Sequence, residues 1–393
     1  MSDVASFHLP PPARPHVDVL VIAGEHSGDE HAARMVRDAL AVQPQLSIAA
    51  LGGPRLAGAG AHVLHDLTAS SVVGLVEVLK NYSFFKALFA EILRWVAEYR
   101  PRAVCLVDYP GLNLRLAAAL REQGLSVKGG GKIKVLYYIS PQIWAWKAKR
   151  RFTMARDLSA MAVIFPFEPA CYRDTSLPVE FVGHPFVVDD YAAPVRYDPR
   201  GPVLLLPGSR KQAVARIFPV LLEGFRAFAS QGMEAEAVVL YPSDDILGVL
   251  QAARPPDNIR LLKVAADDPA VVGNRGAQAA SAVLTSSGTM SMHCALAGIP
   301  GAIAYRANPV TYLLGRMLVQ VEYLGIANLL LQEPMYPEFI QGAALPPALA
   351  AQLRDCLGNP ARQAETTARA SRLRELLTVP ATGTAADWLL RQV

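Results

Sequence analysis

The sequence predicts an α/β protein with two domains, each built on a doubly wound parallel sheet. The first observation is length, since 393 residues are too many for one ordinary core. The second is that, from Val17 onward, short apolar runs alternate with amphipathic stretches, as in strands buried between helices. The third is a strand-free segment over residues 183–202, rich in Pro, Gly and Asp, which separates two such series.

The apolar runs place the strands, because each run ends abruptly in Gly, Pro, Asp or Ser. In the first half the predicted strands are Val17–Ile22, Ser47–Leu51, Ala103–Val107, Val135–Ile139, Met161–Phe165 and Val179–Val182. In the second half they are Val203–Leu206, Ala237–Leu240, Ile259–Leu262, Ala282–Thr285 and Ala302–Tyr305. The first helix is expected to begin near residues 27–29, where apolar residues start to recur at helical spacing.

These patterns divide the chain into four parts. We expect a disordered leader over residues 1–16, an N-terminal domain over 17–190, a C-terminal domain over 191–359 and a helical tail over 360–393. The leader is rich in proline and lacks the basic and apolar pattern of a signal peptide. The tail ends in apolar residues that need a surface to pack on, namely Trp388, Leu389 and Leu390.

Composition excludes several classes of protein. With 52% hydrophobic and 18% charged residues, the chain is neither disordered nor fibrous. A net charge of +4 is too weak to indicate nucleic acid, and no nucleic-acid partner is expected. No apolar stretch reaches the length of a spanning helix, so the protein is expected to be soluble or peripheral. The four cysteines lack zinc-ligand spacing, which predicts a reducing compartment and no metal site.

The turn after the first predicted strand is a candidate ligand contact. Ligands of doubly wound sheets bind outside the carboxyl ends of the strands. This turn carries Glu25, Ser27 and Asp29, which we predict to line a cleft or contact an acceptor. In the alternative, Ser27 or Asp29 caps the following helix.

Two further strand ends carry candidate chemistry. Asp108 directly follows the strand Ala103–Val107 and is positioned to deprotonate a substrate hydroxyl as a general base, unless it caps the next helix. Trp146 follows the next strand and precedes four cations within five residues, a combination that suits anion and ring recognition. A solvated basic helix start is the alternative for the second feature.

The second domain offers a diphosphate site. Ser209 and Arg210 follow one strand, and Ser287, Gly288 and Thr289 follow another strand just before a helix. Free amides at a positive helix end favour a phosphate, and an arginine can bind it through two hydrogen bonds. Helix caps or simple turns are the alternatives for both motifs.

Residues 72–96 mix aromatic side chains with cations. Phe84, Phe85 and Phe89 are predicted to contact a lipid surface, as in a monotopic membrane element. A core helix that covers the sheet is the alternative.

Taken together, these motifs resemble the lipid A disaccharide synthases, which are inverting glycosyltransferases of the GT-B type. The order and spacing of the matching motifs agree from about residue 17 to residue 345. The matches are Ala23–Asp29, Gly53–Arg55, Val73–Leu79, Asp108–Pro110, Ser140–Trp146, Phe165–Glu168, Val182–Pro185, Leu206–Arg210, Ser287–Thr289 and Tyr305–Arg306.

The resemblance implies two Rossmann-like domains that face a cleft. It implies transfer of a diacylated glucosamine from UDP to the 6-hydroxyl of a diacylated glucosamine 1-phosphate, which gives a β-1,6-linked disaccharide and UDP. It implies no metal and no cofactor. The partners would be the UDP-activated acylated sugar, the acylated sugar 1-phosphate and the inner membrane surface, with the enzyme peripheral on its cytoplasmic face. A homodimer stays open.

The resemblance also assigns residues. Asp108 becomes the general base on the acceptor side, in the N-terminal domain. The nucleotide and its diphosphate fall to the C-terminal domain, at Ser209, Arg210, Ser287, Gly288, Thr289, His293, Asn328, Glu338 and Gln341.

Four positions depart from the family's usual residues. Gly111 and Ala213 replace an Asp and a Glu, and His293 replaces a Glu suited to bind the ribose hydroxyls. Ala327 stands where a proline is common. These departures keep two alternatives open: a GT-B enzyme for another UDP-sugar, or a catalytically weakened paralogue that binds nucleotide or lipid.

Overall fold

The structure is a computed structural model that describes residues 7–68, 82–188, 191–232, 235–264, 276–308, 312 and 322–393. The chain forms two compact units, the first comprising Met1–Pro185 with Val379–Val393 and the second Phe186–Thr378. A separate hydrophobic core lies in each unit. Among the described residues, no helix is long and apolar enough to cross a membrane.

The first unit is built on a parallel sheet of seven described strands, in the order β3-β2-β1-β4-β5-β6-β7. The strands are β1 (Val19–Ala23), β2 (Ile48–Gly52), β3 (His62–Asp66), β4 (Ala103–Val107), β5 (Lys134–Tyr138), β6 (Ala160–Val163) and β7 (Val179–Phe181). The helices are α1 (His26–Val42), α2 (Pro54–Gly58), α3 (Tyr82–Tyr99), α4 (Pro110–Glu122) and α5 (Arg150–Asp157). Every residue of β1, β2 and β4 is buried, as expected for a parallel sheet covered on both faces.

The second unit repeats this plan with six described strands, in the order β11-β10-β9-β13-β14-β15, and a separate pair, β12-β8. The strands are β8 (Val195–Tyr197), β9 (Val203–Leu206), β10 (Ala237–Tyr241), β11 (Ile259–Lys263), β12 (Gln278–Ala280), β13 (Ala282–Thr285), β14 (Gly301–Tyr305) and β15 (Glu338–Ile340). The helices are α6 (Lys211–Ala229), α7 (Asp244–Ala252), α8 (Thr289–Leu296), α9 (Ile326–Leu331), α10 (Pro346–Gly358), α11 (Pro360–Leu377) and α12 (Ala385–Gln392). The predicted α/β class with two doubly wound parallel sheets is confirmed.

The leader is not disordered where the structure describes it. Leu9 is 5% exposed in the first core, and its backbone N–H donates to Glu91 Oε1 at 2.8 Å. Trp95 Nε1 donates to Pro10 O at 3.0 Å, and the ring of Phe7 packs edge-on against Phe84. The prediction of a disordered leader is therefore wrong for this stretch, because apolar side chains and one buried carboxylate hold it on α3.

The predicted helical tail forms two helices, α11 and α12. The break lies around Pro380, and the Thr384 hydroxyl and Asp387 carboxylate form a capping box that starts α12. Residues 379–393 belong to the first unit, where α12 packs on α1 and Trp388 is fully buried. The surface that the apolar tail residues need is thus supplied by the N-terminal unit.

Candidate active site

Strand order reverses at one place in each main sheet. In the first unit β1 pairs with β4, and the remaining strands extend outward from these two. In the second unit β9 pairs with β13 in the same way. Ligands of doubly wound sheets bind outside the carboxyl ends of the strands at this switch point. The turns that carry the predicted acidic and diphosphate motifs follow these four strands, and the turn that carries Trp146 follows β5.

At the first switch point, the turns after β1 and β4 are in direct contact. A Cβ added to Gly24 would lie 2.3 Å from the Tyr109 ring, a distance that no real Cβ tolerates. The helix after β1 also approaches closely, because a Cβ on Gly28 would lie 3.7 Å from Val107 O. Gly24 therefore allows the two turns to meet beside Asp108, whereas a Cβ at Gly28 would make only an ordinary van der Waals contact.

Asp108 begins a strained turn. Asp108 and Tyr109 both have left-handed backbones, with φ of 46° and 45°. Such conformations cost of order 1–3 kcal/mol each and persist only where the surroundings enforce them. Asp108 N donates to Tyr138 O at 2.9 Å, which fixes the turn to the end of β5. The N-cap of α4 is Tyr109, so the alternative that Asp108 caps this helix is not supported.

Two side chains that the sequence did not single out hold the Asp108 carbonyl. Asn113 Nδ2 donates to Asp108 O at 2.7 Å and to Val107 O at 3.1 Å. The Tyr137 hydroxyl donates to Asp108 O at 2.6 Å. Asn113 is fully buried in the first turn of α4, which places its amide back toward the strand end. These bonds maintain the left-handed turn and so set the direction of the Asp108 side chain.

The predicted ligand contacts after β1, Glu25, Ser27 and Asp29, differ in their surroundings. The helix begins at His26 with Glu25 as N-cap, so the alternative that Ser27 or Asp29 is its N-cap is wrong. Glu25 and Ser27 are half-buried at the sheet edge, where a ligand contact remains a proposal.

Asp29 has a structural role. Its side chain is 2% exposed, and its carboxylate accepts hydrogen bonds from Gly53 N at 2.7 Å and Arg55 N at 3.0 Å. Burial raises the pKa of this carboxyl, and these backbone bonds oppose the rise. The carboxylate thus stabilises the start of α2, and the prediction that Asp29 lines a cleft or contacts an acceptor remains a proposal.

The segment after β5 is anchored by a buried glutamate. Glu168 Oε2 accepts from Phe165 N at 3.1 Å, and its Oε1 accepts from Trp144 Nε1 at 3.3 Å. Burial raises the pKa of Glu168 to about 8, against the effect of these bonds. Trp146, the predicted cleft residue, is 37% exposed beyond this anchor.

The predicted membrane contacts lie on α3. Phe84, Phe85 and Phe89 are half-buried and pack against the first core, as in the alternative of a covering helix. They are therefore not fully exposed anchors, and any lipid contact they make would use only their outer edges. Residues 72–81 of the same predicted segment lie outside the described residues.

At the second switch point, two turns lie side by side. Gly208 has φ of 108°, which favours glycine, and a Cβ there would lie 3.3 Å from Ser286 Oγ. Ser286 N donates to Leu206 O at 2.9 Å. The exposed side chains of Ser209 and Arg210 therefore begin next to the turn that starts α8.

The N-terminus of α8 has the features of an anion site. Gly288 is the N-cap, and no side chain caps the helix. Gly288 and Thr289 are exposed, and Ser287 is half-buried. Backbone N–H groups and the helix dipole make such an end suited to phosphate. The structure thus brings the predicted diphosphate residues together at one sheet edge.

His293 lies on α8 beneath two aromatic rings and is 7% exposed. The Phe186 ring centroid is 4.0 Å away, and the Tyr191 ring is parallel to the imidazole within 4°. Tyr191 Oη lies 3.3 Å from His293 Nε2. A role in ribose recognition remains a proposal for this buried imidazole.

Asn328 and Glu338 form an internal network. Asn328 is fully buried, and its Nδ2 donates to Tyr336 O at 2.7 Å and to Glu338 Oε1 at 2.8 Å. Glu338 also accepts from Leu324 N and Gly325 N. The protein itself uses this amide to hold the loop before α9, and a nucleotide contact of Asn328 remains a proposal.

Gln341 performs a similar task. Its side chain makes paired hydrogen bonds to the backbone of Ala307, with Ala307 N at 2.9 Å from Oε1 and Ala307 O at 3.2 Å from Nε2. It thereby fixes the segment that follows β14 at the carboxyl edge. Within the described ranges, no group of three or more His, Cys, Asp and Glu side chains is placed to hold a metal ion.

Comparison with known proteins decides the family. The sequence profile of the lipid-A-disaccharide synthetase family matches residues 19–387. The chain is 36% identical to the lipid-A-disaccharide synthase of Geobacter sulfurreducens over 372 residues, which cover 91% of this chain and 92% of the relative. It is 37% identical to lipid-A-disaccharide synthase 1 of Legionella pneumophila strain Lens, over 82% of this chain and 83% of that one.

The chain belongs to the lipid-A-disaccharide synthetase family. The resemblance found from its motifs is confirmed, and so is its function as a glycosyltransferase of lipid A disaccharide synthesis. The alternatives of another UDP-sugar enzyme or a weakened paralogue are not favoured.

Solved structures agree on the fold. UDP-GlcNAc 2-epimerase from Neisseria meningitidis, bound to UDP-GlcNAc, superposes with a TM-score of 0.59 at 11% identity, over 95% of this chain and 98% of that one. The spinosyn rhamnosyltransferase SpnG, complexed with thymidine diphosphate, superposes with a TM-score of 0.56 at 16% identity, over 96% and 99%. At these identities the likeness shows the GT-B fold alone.

Proposed function

We propose that Asp108 is the general base of a single-displacement reaction between two acylated sugars. The acceptor is a diacylated glucosamine 1-phosphate, and the donor is a diacylated glucosamine activated by UDP. The 6-hydroxyl of the acceptor transfers its proton to the Asp108 carboxylate while its oxygen bonds to C1 of the donor. The C1–oxygen bond to UDP breaks as the new bond forms, so the configuration at C1 inverts.

One observation carries this proposal more than any other: an aspartate at a switch point, held by an enforced turn. General bases must be positioned within hydrogen-bond reach of the proton they remove. The left-handed backbone conformation at Asp108 and Tyr109 costs conformational free energy. Hydrogen bonds from the Asn113 and Tyr137 side chains to Asp108 O maintain this conformation. Strain of this kind is concentrated at functional sites.

The second unit is proposed to bind the donor's UDP. The leaving diphosphate gains negative charge as the C1–oxygen bond breaks. Amides at the start of α8, with Ser287, Gly288 and Thr289, would bind this charge, and Ser209 and Arg210 would approach it from the neighbouring turn. Interactions that strengthen as charge develops lower the barrier.

His293, Glu338 and Gln341 complete the proposed nucleotide side. Glu338 and Gln341 act by fixing the loops after β14 and before α9. His293 is proposed to bind the ribose. The rings of Phe186 and Tyr191 cover the imidazole in this structure, so they would have to move before the ribose could reach it.

We also propose that the enzyme works on the cytoplasmic face of the inner membrane. Its substrates carry acyl chains, which do not leave a bilayer freely. The outer edges of Phe84, Phe85 and Phe89 and the exposed basic residues of the first unit are suited to an anionic lipid surface.

The test is release of UDP by the purified chain. We expect release only when both sugars are present, and we expect the rate to be unchanged by a chelator. Asp108→Asn should lower turnover by about 10²- to 10⁴-fold with little change in melting temperature, the usual contribution of a general base. Asp38→Asn, the same change on a surface helix position, should leave the rate unchanged. Equal rates for both variants would remove Asp108 from the chemistry.

A further inference from the structure

Beyond Asp108, the carboxyl edge of the first sheet carries a cluster of cations without a role. Four of them, Lys147, Lys149, Arg150 and Arg151, fall within residues 147–151, directly after the segment that follows β5. In the described part of the chain, only Arg151 among the four has a carboxylate within ion-pair distance, that of Asp174 at 2.6 Å. The other three cations are available for an anion from outside the protein.

Two of these cations converge on one aromatic ring. Lys147 Nζ lies 4.4 Å from the centroid of Trp146, and the Arg150 guanidinium lies 5.6 Å from it. Lys147 has a left-handed backbone with φ of 55°, and Arg150 N donates to Lys147 O at 2.8 Å. This tight turn brings the two charges over the same ring, which is 37% exposed.

The turn rests on a rigid base. The ring of Trp144 is perpendicular to that of Phe167, with centroids 5.4 Å apart, and its Nε1 donates to the buried Glu168. The Ser140 and Tyr172 hydroxyls are hydrogen-bonded at 2.7 Å. Because both ends of residues 140–144 are held in this way, the backbone that leads to Trp146 starts from a fixed position.

The cluster and the proposed base both follow the carboxyl ends of neighbouring strands. The Tyr137 hydroxyl, which donates to Asp108 O, is affected by the charges of both Asp108 and Arg150. Burial raises the pKa of Tyr137 well above its ordinary value, Asp108 raises it further, and Arg150 opposes this rise. Asp108 directly follows β4, and the cluster follows β5, which pairs with β4 in parallel, so both lie at the same edge of the sheet.

We propose that Trp146, Lys147 and Arg150 form a phosphate-monoester subsite that holds the 1-phosphate of the acceptor sugar. The inference rests on the proposed function, which places the acceptor at Asp108. A phosphate monoester carries about two negative charges near neutral pH, and guanidinium binds it through paired hydrogen bonds. The apolar face of Trp146 would pack against the sugar ring, as aromatic side chains with a polar neighbour often do.

The subsite is tested by comparing two acceptors, diacylated glucosamine 1-phosphate and the same sugar without phosphate. Wild-type protein should prefer the phosphorylated acceptor in kcat/KM. In Arg150→Gln and Lys147→Gln this preference should fall by about 10- to 100-fold, as expected for a lost charge-assisted contact. Arg150→Lys should keep most of the preference, because the charge remains.

Lys149→Gln is the matched control, since it removes the same charge one residue away without a contact to the Trp146 ring. Its preference should equal that of wild type. Equal losses in Lys149→Gln and Arg150→Gln would show diffuse attraction and overturn the subsite. So would an Arg150→Gln variant that loses activity equally with both acceptors.

Sedimentation with anionic phospholipid vesicles separates the acceptor phosphate from lipid headgroups. Arg150→Gln should sediment as wild type does; reduced sedimentation with an unchanged acceptor preference would overturn the proposal. Calorimetric titration of the two acceptors into wild type and Arg150→Gln needs no turnover. If wild type releases no UDP but still binds the phosphorylated sugar more tightly through Arg150, the proposed function fails and the subsite stands. Equal binding of both acceptors by wild type would overturn the subsite.

Discussion

At the scale of single residues, the site depends on backbone conformation as much as on side-chain identity. Three positive-φ residues, Asp108, Tyr109 and Ile139, lie at the ends of β4 and β5. The sequence indicated Asp108 because a carboxylate directly follows a buried strand. It could not indicate the left-handed turn, because tyrosine and β-branched isoleucine rarely adopt that conformation. The turn depends on tertiary hydrogen bonds, which no local pattern records.

Tyr137→Phe tests whether this turn positions the base. The variant removes one of the two side-chain donors to Asp108 O and leaves Asn113 as the other. We expect kcat to fall about 3- to 30-fold while KM for the donor stays unchanged, with a stability loss of about 1 kcal/mol for the missing bond. Tyr138→Phe is the matched control, because the adjacent side chain points to the opposite face of the sheet. Equal kcat in the two variants would limit Tyr137 to a structural role.

Residues used internally were the hardest to interpret from sequence. Asp29 and Asn328 occupy positions that match family motifs, yet both are buried and bond to backbone groups. The hydrogen-bond partners of Asp29 are 24 to 27 residues away in sequence. The residue types of a short motif therefore cannot distinguish a ligand contact from a structural hydrogen bond. Burial, visible only in the fold, makes that distinction.

At the scale of elements, strand predictions succeeded where burial is complete. β9 and β13 have the predicted bounds, because each is a run of four buried residues, all apolar in β9 and three of them apolar in β13, that ends at proline or serine. The sequence missed the edge strands β3 and β15. In β3 only Leu64 is buried, between the partly exposed Val63 and His65. Edge strands are stabilised by pairing on one side and need no continuous apolar run. Hydrophobicity therefore predicted only some of them, the edge strands β7 and β11 and not β3 and β15.

The connection after β6 predicts a pH dependence of stability. Glu168 has a folded-state pKa of about 8 because of burial, against an ordinary value of 4.5. Between these values the folded protein retains the proton that the unfolded chain has lost. The stability present below pH 4.5 therefore decreases as the pH rises toward 8, by at most about 1.4 kcal/mol per pH unit.

Glu168→Gln should flatten this slope. The variant cannot titrate, although its amide offers one acceptor in place of two to Phe165 N and Trp144 Nε1 and so adds a constant cost. Urea unfolding between pH 5 and pH 9 measures both effects. Glu122→Gln, the same change at an exposed position, is the control. Parallel curves for wild type and Glu168→Gln would show that Glu168 is ionised in the folded protein.

At the scale of the whole molecule, the two units share one plan. Length and the alternation of apolar runs predicted two parallel sheets, and the structure has them. The sequence did not predict that residues 379–393 join the first unit. The apolar face of α12 indicates that the helix packs on some other element of the chain, but it does not indicate which element. Both switch points coincide with motifs found from sequence. The sequence shows where buried strands end, because Gly, Pro, Ser or Asp follows the apolar run.

The central claim is that the second unit binds UDP while Asp108 in the first unit acts on the acceptor. Calorimetric titration of UDP into wild type, Arg210→Ala and Asp108→Asn tests this division most directly. We predict that Arg210→Ala weakens UDP binding by about 1.5–3 kcal/mol, the range for a hydrogen bond to a charged group, and that Asp108→Asn binds UDP as wild type does. Unchanged affinity in Arg210→Ala, or an equal loss in Asp108→Asn, would contradict it.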